Sequence, residues 1–146
     1  MKNEFIPYEQ ALALKELGFN EPCFGRYYYK ESWPILNPNS GETELTFEFG
    51  QYIRQTKVTT LVPLYQQAFG FFREKYGLMH IIYPYDFTCE IDFLNDRIYD
   101  PINGDFIPHN HIVDNEGETL KHNSYKEAEL TCLKELIEIV KSKYAK

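Results

Sequence analysis

Strict alternation of apolar and polar residues marks two segments, Glu44-Leu-Thr-Phe-Glu-Phe49 and Phe87-Thr-Cys-Glu-Ile-Asp-Phe93. A period of two is the period of a β-strand, so Leu45, Phe47 and Phe49 fall on one side, as do Phe87, Cys89, Ile91 and Phe93. Glu44, Thr46 and Glu48, and likewise Thr88, Glu90 and Asp92, then face water, the pattern of an antiparallel sheet with one wet face. Weaker strand patterns cover Cys23 to Lys30, Met79 to Tyr83, Arg97 to Ile102, Phe106 to Val113 and a short piece near Thr119. Asn103-Gly104 signals a hairpin, and Asp114-Asn-Glu-Gly117 a second turn. Trp33-Pro-Ile-Leu-Asn-Pro-Asn-Ser-Gly41 is rich in turn formers and reads as an exposed loop.

Three helices follow from a different period. The first starts at Pro7, whose fixed φ suits the first helical position, and stops at Gly18. Its apolar face is Tyr8, Ala11, Leu12, Leu14 and Leu17. The second begins between Thr60 and Pro63 and ends at Gly77, with Leu78 placed to fold back on the last turn. Apolar residues cover so much of its circumference (Leu64, Tyr65, Ala68, Phe69, Phe71, Phe72 and Tyr76) that it is buried on more than one side. Gly70 inside it costs about 1 kcal/mol relative to Ala. The third opens on the capping box Ser124-Tyr-Lys-Glu127, behind which Ala128, Cys132, Leu133, Leu136, Ile137 and Val140 recur at three- and four-residue steps. The expected architecture is therefore α+β: a single domain over 1–146, with an antiparallel sheet packed against helices at about 7–18, 61–76 and 124–143.

Composition supports one core. The chain has 146 residues, 43% of them hydrophobic and 25% charged, which lies near globular averages and away from disorder. Aromatic residues make up 16%, spread along the chain at strand and helix spacings, as in a packed core. Fifteen Lys and Arg against 22 Asp and Glu give a net charge of −7, a sign that disfavours nucleic acid unless a local basic patch overrides it. The carboxyl-terminal lysines 134, 141, 143 and 146 read as partners of the helix dipole. No run of 18 apolar residues and no apolar leader is present, so no membrane span is expected and the protein reads as cytoplasmic. Cys23, Cys89 and Cys132 are widely spaced and odd in number, which reads as reduced, buried thiols.

Candidate chemistry is sparse. His109-Asn110-His111 places two histidines on one side of a strand, and with Asp114 nearby it forms the candidate metal site, the basis of a metal-dependent hydrolase. Glu48, Glu90 and Asp92, if their strands pair, offer adjacent carboxylates for acid–base work or a row imitating DNA phosphates. Tyr27, Tyr28, Tyr29 and Trp33 are the candidate interface, because aromatics anchor protein contacts. No phosphate loop, nucleophile elbow, zinc-protease helix or calcium loop occurs. The reading leans away from an enzyme, with no cofactor expected.

Tyr8 to Gly25, Leu64 to Leu78 and Tyr125 to Val140 together resemble a family of short, uncharacterised bacterial proteins of prophages and other mobile elements. The likeness covers about half of the chain and implies a mobile-element origin, with no activity attached. The order of helix 63–76, strands over 79–121 and the capped helix carrying Lys126-Glu-Ala-Glu129 looks loosely like a double-stranded RNA-binding domain, which grips phosphates from the start of its last helix. The matching stretch here carries Lys121 and Lys126. The leading expectation is a small, non-enzymatic accessory protein that binds a protein partner; a nucleic-acid-binding module is the alternative.

Overall fold

A computed structural model describes residues 2–23, 25–29, 43–47, 59–94, 99–100, 105–106 and 110–144. The chain is α+β, and every described strand pairing is antiparallel. It divides into two compact units, Met1–Gln67 and Ala68–Lys146.

In the first unit, helix α1 (Tyr8–Glu16) is followed by strands β1 (Gly25–Tyr29), β2 (Thr43–Phe47) and β3 (Thr59–Val62), in the sheet order β2-β1-β3. Pro7 is extended (φ −63°, ψ 158°) and stands just before the helix, its carbonyl accepting from Ala11 N–H at 3.0 Å. The predicted start at Pro7 is thus one residue early, since its φ suits a helix while its ψ remains extended. Gly18, at φ 86°, ends α1, and Phe19 N–H returns to the Leu14 carbonyl at 2.9 Å. That backbone requires a positive φ, which glycine adopts without cost. The buried side of α1 is Gln10, Ala11 and Leu14, whereas Leu12 is exposed. The helix packs on β3, whose Leu61 and Val62 are buried, as are Phe5 and Ile6. Strand β3 corrects the early start given to the second helix. Thr59 to Val62 are β-branched or aliphatic, favour a strand, and are stopped by Pro63.

Helix α2 (Tyr65–Tyr76) carries the chain onward. In the second unit come β4 (Leu78–Ile82), β5 (Cys89–Phe93), the short ladder β6 (Tyr99–Asp100) with β7 (Asp105–Phe106), β8 (Asn110–His111) and helix α3 (Tyr125–Tyr144). The second sheet has the order β4-β5-β8. Gly77 (φ 66°) ends α2 as predicted, and Leu78 is 1% exposed. At α3, Glu127 N–H donates to Ser124 Oγ at 3.2 Å and Asn123 N–H to Glu127 Oε2 at 3.0 Å, a capping box shifted by one residue on its return arm. All six of its expected apolar positions are buried. This helix packs on β4 and β5.

One expectation about the second sheet is overturned. Thr88, Glu90 and Asp92 do not face water: they are 6%, 4% and 1% exposed. Alternation distinguishes the two sides of a strand, but it carries no information on whether a further layer covers the polar side. Phe87 is also outside the strand, at φ 50°. The 33–41 loop, the Asn103-Gly104 turn, Glu48 and Phe49 lie outside the described residues.

Candidate functional site

The polar groups of the second unit concentrate where the turn joining β4 to β5 meets the start of α3. Tyr83-Pro84-Tyr85-Asp86 closes the turn. Asp86 Oδ1 accepts from Thr88 Oγ1 at 2.8 Å and from Thr88 N–H at 3.2 Å, bonds that hold its carboxyl below the usual range. The segment before α3 is pinned to this turn, with His122 N–H near the Asp86 carbonyl at 3.4 Å. His122 Nδ1 lies 2.8 Å from the Phe87 carbonyl and Nε2 lies 2.8 Å from Thr131 Oγ1. A carbonyl only accepts, so Nδ1 carries the proton and, in the neutral ring, the Thr131 hydroxyl donates to Nε2.

Beneath the histidine sits Cys89. Its Sγ is 3.4 Å from the Ala128 carbonyl and 4.0 Å from His122 Nδ1. Cys132 lies one helical turn beyond Ala128 on α3. Interaction with Cys132 lowers the pKa of Cys89, while interaction with Cys89 and burial raise that of Cys132. Both residues are fully buried. The proton on Nδ1 is committed to Phe87, so His122 does not act as a base toward Cys89. Cys23, in the first unit, donates to the Glu21 carbonyl at 3.3 Å, and burial together with the Glu21 charge pushes its thiol up to about 12.

On the other side of β5, the Tyr83 hydroxyl donates to Glu90 Oε2 at 2.7 Å, and His111 Nε2 stands 3.8 Å from the same oxygen. The bond to Glu90 holds the Tyr83 phenol above its usual range. Tyr83 remains 39% exposed, Tyr125 at the start of α3 is 47% exposed, and Tyr85 at the turn is 96% exposed. One end of the unit therefore presents three tyrosines to solvent. A shallow groove of about 220 Å³ also runs between β8 and α3, lined by Phe93, Ile112, Val113, Ile139, His111 and Glu135.

The residues singled out in the sequence are distributed differently. Tyr27, Tyr28 and Tyr29 form most of β1, whose backbone pairs with β2 and β3; their side chains and the whole of Trp33 lie outside the described residues. His109 does too. His111 is at the Glu90 carboxylate, and Asp114 Oδ1 accepts from Glu116 N–H at 2.8 Å and Glu118 N–H at 3.0 Å, closing its own turn. Among the described residues, no group of three or more His, Cys, Asp and Glu is arranged to hold a metal ion, and no helix is long and apolar enough to cross a membrane. Glu90 and Asp92, buried, offer no outer acidic row of the kind a phosphate mimic needs. The exposed turn at Tyr83 to Asp86 is legible in the sequence, where proline and aspartate between two strand patterns signal a turn that lifts its neighbours into solvent. No protein-family model matches the chain, nor does any curated protein or solved structure.

Proposed function

We propose that this chain is a small, non-enzymatic accessory protein of phage or mobile-element origin, acting in the cytoplasm by binding a protein partner through Tyr83, Tyr85 and Tyr125. The observation that supports the reading is the 96% exposure of Tyr85 on a turn whose backbone is tied down by Asp86 and His122. Tyrosine brings a large apolar ring and a hydroxyl at a cost of only two side-chain torsions, which makes it a frequent anchor of interfaces. A rigid turn reduces the ordering that association requires.

The test is site-specific photo-crosslinking in the native host, with a benzophenone amino acid at position 85 and, as a control, at exposed Glu116. A discrete adduct from position 85, weakened by Tyr125→Ala, is expected. Equal labelling from both positions would remove the basis of the reading.

The second reading is nucleic-acid binding, favoured by the order α2-β4-β5-β8-α3 with an antiparallel three-stranded sheet. Of the two lysines near the start of α3, Lys126 is paired with Glu129 at 2.9 Å. Fluorescence anisotropy with duplex RNA at low salt, where electrostatic affinity is greatest, tests it; no rise in anisotropy there ends it.

A further inference from the structure

Three segments of the chain meet at the tyrosine end of the second unit. Strand β4 leads into the turn that carries Tyr83, Tyr85 and Asp86, closed by Tyr83 N–H on the Thr88 carbonyl at 3.0 Å. Beside it the chain leaves β8, with Ile112 N–H on the Cys89 carbonyl at 3.0 Å, and enters a second turn in which Asp114 N–H reaches the Glu118 carbonyl at 2.8 Å. It returns past Ile112, whose carbonyl accepts from Leu120 N–H at 2.9 Å, to Asp86 and the start of α3, where Tyr125 stands. The charge gathered here is one-sided. These segments carry Asp86, Asp114, Glu116, Glu118 and Glu127 against Lys121 and Lys126, and Lys126 is already paired with Glu129 at 2.9 Å. Asp86 is fixed by Thr88 and Asp114 by the N–H groups of Glu116 and Glu118, so neither carboxylate has to be ordered when a partner arrives.

We propose that this end binds an arginine-rich segment of a partner protein, with guanidinium groups stacked on Tyr85 and Tyr125 and paired with Asp86, while the carboxylates of the 114–118 turn draw the segment in without touching it. The inference rests on the binding role proposed for the tyrosines and names the chemistry of what they bind. A guanidinium is planar and weakly hydrated, so it lies on an aromatic ring while its edge donates to a carboxylate. A lysine ammonium, compact and strongly hydrated, makes the same stack less well. Phosphate backbones and anionic lipids are repelled by charge of this sign, and a second copy of the chain would bring the same acidic end. A wholly apolar partner would take water from the carboxylates and give nothing back.

The two kinds of residue act at different stages. Charges that lie near the contact but outside it govern the rate of encounter, whereas groups buried in the contact govern the rate of escape. Glu116 and Glu118 are exposed and belong to the first kind; Tyr85, on its pinned turn, belongs to the second.

The test is stopped-flow fluorescence anisotropy of the full chain with a fluorescein-labelled peptide of alternating arginine and glycine, at about 0.15 M salt, where charges beyond about 8 Å are screened. Binding is expected, and the lysine counterpart should bind at least about 3-fold more weakly. Tyr85→Ala should raise the dissociation rate about 5-fold with little change in association. Glu116→Gln with Glu118→Gln should slow association about 3-fold with little change in dissociation. Glu135→Gln with Glu138→Gln removes the same charge from exposed positions about 15–20 Å along α3 from Tyr125, and should alter neither rate by as much as about 2-fold. Equal binding of the arginine and lysine peptides, or equal effects of the two pairs of charge changes, would overturn the proposal, since net charge alone would then explain the attraction. A discrete photo-adduct from position 85 in the host, with no arginine-peptide binding, overturns the basic partner and leaves the tyrosine interface standing. Arginine-peptide binding that survives Tyr85→Ala unchanged overturns both.

Discussion

His122 Nδ1 stands 2.8 Å from the carbonyl of Phe87, a residue at φ 50°, the only positive φ outside glycine among the described residues. A bulky side chain in that region is strained, so the conformation persists because neighbours impose it. The histidine is one of them, bridging the turn to Thr131 on α3. His122→Ala removes both bonds and leaves partners without a mate, which should cost about 2–3 kcal/mol. Urea denaturation measures it; a loss below about 0.5 kcal/mol would show that the turn holds itself.

Tyr83→Phe deletes the hydroxyl that donates to Glu90, a carboxylate 4% exposed. Hydrogen bonds to charged groups in such settings are worth about 1.5–3 kcal/mol, and a decrease in unfolding free energy of that order is expected. Spectrophotometric titration of wild type should also show a phenol ionising above 10, the reference for tyrosine, which the variant lacks. Identical alkaline titrations would contradict the bond.

His80 stacks on Phe69, with ring centroids 3.5 Å apart and an interplanar angle of 18°. Burial, and secondarily the Arg73 charge, lower its pKa from 6.5 to about 4. The unfolded chain takes up the proton near 6.5, while the folded chain does so only near 4. Stability is therefore complete above 6.5, is lost as pH falls through the interval, and loses no more below 4 on this account. Allowing for partial exposure of the ring, the decrease should reach about 2 kcal/mol. His80→Leu should flatten that limb of the pH profile, and an NMR titration of the ring with a midpoint near 6.5 would refute the assignment.

Two glycines predict opposite outcomes. A Cβ on Gly70 meets only the end of the Arg73 side chain, at 3.8 Å, so Gly70→Ala should stabilise α2 by about 0.5–1 kcal/mol. On Gly25 it lies 2.9 Å from the Phe5 ring and 3.2 Å from the Val62 carbonyl, so Gly25→Ala should destabilise by about 1–3 kcal/mol. Thermal unfolding of the two variants, moving in the same direction, would show that these contacts do not set the tolerance.

The α+β class, the three helices and the sides of β5 are written locally. Ser124 with Glu127, Gly18, Gly77 and the spacing of Ala128 to Val140 each act within a few residues, so adjacent positions suffice to read them. Thr59 to Val62 escaped because a short β-branched run before a proline reads equally as the lead-in to a helix. Burial of Glu90 and Asp92, the contact of Cys89 with the Ala128 carbonyl, and the histidine that pins Phe87 were decided by tertiary structure alone. Each depends on which distant segment packs against a given face, a choice made by the summed burial of the core rather than by any spacing along the chain.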